Sequence, residues 1–296
     1  MNVLSLFDGI SVGCQALKQT NLPIENYYAS EIDEYAMAIS RLNHPEIFQL
    51  GDIQELDTSS LPKIELLIAG SPCQDLSSLG KGAGLHGARS GLFFDALRIL
   101  EQTKPKYFIF ENVASMRDTD KKVITELLGV QPIMINSNLV SAQTRKRLYW
   151  TNIPRVELPT DKGILLQDIL TEGFGDRDKA HTVLTNQLPE TQGGLNRYLY
   201  KSTGQIAFRE KYFTGLDKKT KLARFSNLLL LERNQPTPLY RNGVFRHLSV
   251  NECEALQTLP KDYTAGISNS QRFKCLGNSF TCSVIQHILS FIPVDN

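Results

Sequence analysis

The sequence has no paired cysteine motif, no long apolar run and almost no net charge, and each absence excludes a class. Its five cysteines, at 14, 73, 253, 275 and 282, are odd in number, widely spread and without a C-x-x-C pair. That excludes a disulfide framework and a cysteine-rich zinc cluster, and it points to a reducing compartment. No apolar stretch approaches the ~20 residues of a spanning helix. The opening MNVLSLFDG lacks a basic region and a small-residue cleavage site, so no signal peptide is expected. There is no internal repeat and no low-complexity tract. What is present, 41% hydrophobic and 21% charged residues in 296, is the composition of an ordinary globular protein large enough for one or two domains.

The net charge of +1 hides an asymmetry. Residues 1–140 carry 11 Lys+Arg against 17 Asp+Glu, whereas residues 193–246 carry 11 against 3. A basic segment of this kind is either a solvated face or a surface for a polyanion. In the first half, short apolar runs alternate with helical patterns. Strands are predicted at Val3–Phe7, Asn26–Ser30, Ile47–Leu50, Ile64–Ala69, Lys106–Phe110, Pro132–Asn136 and Arg147–Thr151, with helices at 11–19, 33–43, 91–103 and 120–128. This alternation predicts an α/β fold: a Rossmann-like, mostly parallel sheet with helices on both faces. After Pro154 the pattern becomes irregular. Residues 155–245 are expected to form a smaller inserted domain, with 1–154 and 246–296 making the main one. Ser249-Val250-Asn251-Glu252 has capping-box form, and Gly277-Asn278-Ser279 is expected to open a last helix carrying Val284, Ile285, Ile288, Leu289 and Ile292.

Ligands of open parallel sheets bind beyond the carboxyl ends of the strands. Five consecutive predicted strands are followed there by Phe7-Asp8-Gly9-Ile10-Ser11-Val12-Gly13, Glu31-Ile32-Asp33, Gly51-Asp52-Ile53, Ser71-Pro72-Cys73-Gln74 and Glu111-Asn112-Val113. Singly, each has a bland reading: a turn, a helix cap, a buried small thiol. Together they describe a pocket. Glycines let backbone approach a ligand, Glu31 can accept from ribose hydroxyls, and Asp52 can accept from an exocyclic amine. The loop has no Lys and lacks the G-x-G-x-x-G spacing, so the inferred ligand is a nucleoside without a phosphate.

These residues carry a resemblance. LFDGISVG, the Glu after the second strand, GDI, SPCQDLSSLGK, FENV, QTRKR (Gln143–Arg147), RHLSVNECEALQTLP and GNSF (Gly277–Phe280) stand in the order found in DNA cytosine-5 methyltransferases. The chain resembles that family over most of its length outside 155–245, with motifs most similar to the animal de novo DNA methyltransferases. It departs at Ser11-Val12, where many bacterial members have two glycines. The resemblance implies transfer of a methyl group from S-adenosylmethionine to C5 of a flipped cytosine in double-stranded DNA. Cys73 would be the nucleophile at C6, Glu111 would hold and protonate the N3 edge, and Arg145 and Arg147 would be the nearby cations. Phe7, Gly9, Ile10, Glu31, Ile32, Asp52, Ile53, Pro72, Leu92, Asn278 and Ser279 would line the cofactor site. Lys81, Arg89 and Gln143 would contact DNA, the first two from the glycine-rich segment 77–91, and residues 155–245 would recognise the target. No metal and no membrane are implied. A monomeric, cytoplasmic protein of a bacterium or phage is expected.

Three alternatives remain from sequence: a tRNA cytosine-5 methyltransferase on the same fold, a catalytically dead binding relative, and a thiol hydrolase pairing Cys73 with His86, His181 or His247. The last leaves Glu31, Asp52 and GNSF unexplained.

Overall fold

The computed structural model describes residues 1–71, 91–187, 198, 204–209, 211, 214–217, 219–221, 223–224 and 245–294. Cys73, Pro72, Lys81, His86 and Arg89 lie outside them. The chain forms two compact units, one of Met1–Asn136, Lys146–Pro159 and Ser279–Asn296, the other of Ser137–Arg145 and Thr160–Asn278. This division differs from the bounds read from sequence in grouping 137–145 and 246–278 with the second unit and 155–159 with the first.

The first unit is built on a seven-stranded sheet. Its strands are β1 (Asn2–Leu6), β2 (Asn26–Ser30), β3 (Phe48–Gly51), β4 (Leu66–Gly70), β5 (Tyr107–Val113), β6 (Ile133–Asn136) and β7 (Lys146–Thr151), in the order β3-β2-β1-β4-β5-β7-β6. The first five are mutually parallel, and β7 runs antiparallel to β5 and β6. All five residues of β1 are buried, as expected of a central parallel strand covered on both faces. The helices are α1 (Val12–Lys18), α2 (Glu34–Asn43), α3 (Gly91–Thr103) and α4 (Asp118–Leu128). Asp33 caps α2 through Tyr35 and Ala36 N–H, and Gly129, at φ 68, closes α4 in the left-handed conformation that glycine tolerates best. Phe93, Ala96 and Ile99 form the buried stripe of α3 against Phe108, Phe110 and Trp150.

Most strand boundaries differ by one or two residues from those predicted, and the largest difference is at the end of β5. The sequence predicts that this strand ends at Phe110. The strand continues to Val113: Glu111 is paired on both sides, with Gly70 of β4 and Tyr149 of β7, and β7 carries the pairing on through Leu148 with Asn112 and Arg147 with Val113.

In the second unit the described elements are α5 (Leu166–Ile169), a two-stranded antiparallel sheet of β8 (Ile206–Phe208) and β9 (Phe245–His247), α6 (Val250–Leu256) and α7 (Asn269–Asn278). Gly277 and Asn278 therefore close a helix, where the sequence reading had them open one. The helix after them, α8 (Cys282–Leu289), belongs to the first unit. There Gln286 donates to the Gln19 carbonyl at the end of α1 (3.0 Å).

Candidate active site

The strand order reverses at β1: the chain first builds outward to β2 and β3, then returns to place β4 on β1's other side. Such a switch point opens a crevice beyond the carboxyl ends of the two central strands. Register aligns those ends. Leu6 pairs with Ser30 and Ala69, Ser30 with Gly51, and Gly70 with Glu111. The residues that follow the first four strands, Phe7, Glu31, Asp52 and Ser71, consequently leave the sheet at one edge, level with Glu111 on β5.

On the β1 side the chain makes a tight turn. Phe7, Gly9 and Ser11 all have positive φ, at 55, 60 and 58. For the two that are not glycine this costs about 1–2 kcal/mol each, so the surroundings must impose it. They do. Gly9 N–H donates to Glu31 Oε2 (2.8 Å), while Glu31 Oε1 accepts from Ile32 and Asp33 N–H (2.8 and 2.9 Å). One carboxylate thus clamps the turn after β1 to the turn after β2. A Cβ on Gly9 would meet nothing within 4 Å: glycine serves here for its backbone, and the space above it is open. Ile32 is 67% exposed beside the clamp, an apolar side chain next to a carboxylate. Asp52 caps the turn at Ile53–Glu55 through Gln54 N–H (2.9 Å), and Ile53 is buried beneath it. Ile10 is buried, and Leu92 packs half-buried on the core of the first unit.

On the β4 side, Arg147 Nε donates to Glu111 Oε1 at 2.8 Å, and the two side chains are only 14% and 11% exposed. The pair is diagonal across β5 and β7, where Arg147 faces Val113 and Glu111 faces Tyr149. Beside it, Gly70 leaves room that a side chain would remove: a Cβ there would lie 2.8 Å from the Phe280 ring and 3.8 Å from Glu111 Oε2. Asn112 is buried, and its Nδ2 donates to Ser71 Oγ (2.9 Å), tying the last described residue after β4 to β5. Phe280 and Asn112 belong to this edge too. Their signal was only their place in FENV and GNSF, which says nothing of packing.

Two expected site residues are placed differently. Arg145 lies in the second unit, 3% exposed, donating to the carbonyls of Val183 (3.5 Å) and Gly277 (3.1 Å). Gln143 is fully buried. Its Nε2 donates to Leu256 O and Gln257 Oε1, and its Oε1 accepts from Val183 N–H. An amide engaged in this way holds the second unit together, where the sequence expectation was a contact with DNA. Asn278 is exposed at the end of α7, and Ser279 is buried in the first unit.

The basic excess of 193–246 is partly internal. Lys221 pairs with the buried Asp176, which also pairs with Arg177, and Arg246 pairs with Glu252 and Glu172. Arg209, Lys211, Lys219 and Arg224 are exposed. His181 lies against Arg177, and burial together with that guanidinium pushes its imidazole down to about 4.

A Rossmann-like sheet with a clamped glycine turn on one side of its switch point and a carboxylate–guanidinium pair on the other defines the class. A family model for C-5 cytosine-specific DNA methylases matches residues 1–293; the chain belongs to that family and is a DNA (cytosine-5) methyltransferase. The type II methyltransferase M.HhaI of Haemophilus parahaemolyticus is 28% identical over 97% of this chain and 93% of its own length. The orphan methyltransferase M.Rho11sI of Bacillus phage rho11s is 28% identical over 75% of this chain and 47% of its own. Among solved structures, a DNMT2 variant of Spodoptera frugiperda superposes with a TM-score of 0.71 at 20% identity, covering 98% of both chains. The methyltransferase EhMeth of Entamoeba histolytica gives 0.72 at 17%, covering 98% and 97%. At these identities the structures share the fold. No helix among the described residues is long and apolar enough to cross a membrane.

Proposed function

We propose that this chain methylates C5 of a cytosine flipped out of double-stranded DNA, through a covalent bond between Cys73 and C6, with S-adenosylmethionine as cofactor. The observation that carries this reading is the Glu111–Arg147 pair at the same sheet edge as the Glu31-clamped turn. The turn fits a nucleoside. Its glycine faces open space, a carboxylate stands beside it for hydroxyl donors, and the exposed Ile32 offers an apolar face to a purine. When bound, S-adenosylmethionine supplies an electrophilic methyl group on a sulfonium. C5 of cytosine is too weak a nucleophile to take it unaided. The Cys73 thiolate adds to C6, which makes C5 part of an enamine. Glu111 holds the N3 edge and passes it a proton as charge builds on the ring, while Arg147 fixes the carboxyl's direction. Once C5 carries the methyl group, loss of its proton to a base expels the thiolate, and N3 returns its proton to Glu111, which restores the ring. Flipping costs a few kcal/mol. The glycine-rich segment 77–91, with Lys81 and Arg89, and the exposed cations of the second unit are the groups we assign to the DNA backbone.

Sequencing 5-methylcytosine in plasmid DNA from cells expressing the chain tests this reading. Methylation at a fixed short sequence is expected, and Cys73→Ala should abolish it. Methylation of tRNA but not DNA, or retained activity in that variant, would overturn it.

A further inference from the structure

Glu31 holds the cofactor turn from one side; a second carboxylate holds it from the other. Asp8 is only 5% exposed. It accepts from Tyr27 OH at Oδ1 (2.7 Å) and from Ser11 Oγ at Oδ2 (2.5 Å). Ser11 Oγ lies 2.7 Å from Ser40 Oγ on α2, which accepts from Gln49 Nε2 on β3 (2.9 Å). The turn is closed again by Ser11 N–H on the Asp8 carbonyl (3.1 Å), and Asp8 N–H is held by Ser30 O (3.1 Å). A hydrogen-bonded chain from β3 through α2 thus ends on this carboxylate, and groups so linked polarise one another.

Two sequence features make sense only in this light. Ser11 takes the left-handed conformation at φ 58, which a glycine would take without strain. The strain comes from the Cβ, and that Cβ carries the hydroxyl bonded to Asp8. Gly13 is the second feature. A Cβ there would fall 2.7 Å from Tyr27 OH, so the absent side chain is what lets the phenol reach Asp8.

We propose that Asp8 is a positioning residue for the cofactor: from behind the Phe7–Ser11 turn, its ionised carboxylate holds Ser11 and Gly9 in the shape that receives the nucleoside. The inference rests on the S-adenosylmethionine reading above and adds to it a buried anion that never touches the ligand. The titratable groups facing Asp8 are Tyr27 and Glu31 from β2 and its end, and Cys14 from α1. Hydroxyls of Ser5, Ser11 and Ser40 complete its surroundings. None of these is a cation. Burial therefore dominates, and the carboxyl is pushed up to about 6 against the pull of the three hydroxyl donors Ser11, Ser5 and Tyr27. An acid-sensitive clamp follows: below about pH 6 Asp8 takes a proton, must itself donate, and the chain of donors aimed at it is disrupted.

The test is calorimetric binding of S-adenosylmethionine and S-adenosylhomocysteine to the full chain between pH 5.5 and 8. The wild type should bind both, more weakly below pH 6. Asp8→Asn should bind both at least tenfold more weakly at pH 8, with a flat pH profile and an unliganded melting temperature no lower than the wild type's. Tyr27→Phe keeps the volume and removes one donor; it should shift affinity in the same direction by a smaller factor, and it decides the matter if Asp8→Asn does not fold. Wild-type affinities in both variants would overturn the inference alone. A loss confined to S-adenosylmethionine would also overturn it, because it would mean attraction of the sulfonium rather than support of the turn. A wild type that binds neither ligand would overturn the cofactor reading and this inference together.

Discussion

Arg147 is the residue on which the proposed site depends most visibly. Its guanidinium and Glu111 are nearly buried, and removing one partner of such a pair leaves an uncompensated charge. Arg147→Ala is expected to cost about 3 kcal/mol of stability and to lower methylation at least a hundredfold; urea unfolding and single-turnover methylation check the two. Arg147→Lys should keep more of the stability than of the activity, because an ammonium cannot fix a carboxyl's direction as a planar fork does. At this scale the sequence was informative about residue types and poor about company. Glu31 and Glu111 stand out as carboxylates directly after apolar runs, where either could equally be a cap; only the fold shows that Glu31 clamps a turn and that Glu111 meets Arg147. The run Gln143–Arg147 reads as one motif, whereas the chain crosses from one unit to the other between Arg145 and Lys146.

The elements show where local chemistry suffices and where it does not. The capping box of α6 was readable, and it forms: Glu252 N–H donates to Ser249 Oγ (3.2 Å) and Ser249 N–H to Glu252 Oε2 (2.8 Å). Unreadable was the rest of Glu252's work. Burial raises its carboxyl, but Arg246 with the donors on Thr171 and Ser249 outweighs that and holds it down at about 2. Its stabilisation is present above the ordinary glutamate range and is lost as pH falls toward 2. Glu252→Gln should therefore lower the melting temperature at pH 7 and have little effect near pH 2. Gly277 is the opposite case. Its place in GNSF suggests a ligand, yet a Cβ there would lie 2.4 Å from Thr185 N and 2.5 Å from the Leu184 carbonyl carbon. Backbone cannot yield as a side chain can, so Gly277→Ala should destabilise by several kcal/mol, in the overpacking range and beyond, seen as a lowered melting temperature by circular dichroism.

Across the whole molecule the buried titratable groups pull stability in opposite directions with pH. His44 and His181 are both held down to about 4, each chiefly by burial and then by a neighbouring cation, Lys18 and Arg177 respectively. Unfolding lets them take protons, so their contribution is lost as pH falls from about 6.5 to 4. Asp8, pushed up to about 6, works the other way: the native state holds its proton more tightly, and stability is lost as pH rises from 4 to 6. Two groups outweigh one, and the melting temperature should climb between pH 4 and 6.5. Asp8→Asn should steepen that climb, gaining on the wild type as pH rises, which a paired melting series will show.

The order of apolar runs and the glycines and carboxylates after them were enough to determine the sheet, its edge and the class of chemistry, because strand burial and φ > 0 turns are local demands written in residue type. Which cation meets Glu111, which helix Gly277 closes and what Asp8 does behind its turn were decided by packing between segments far apart in the chain. No spacing along the sequence encodes those distances; only the folded sheet brings the partners within reach.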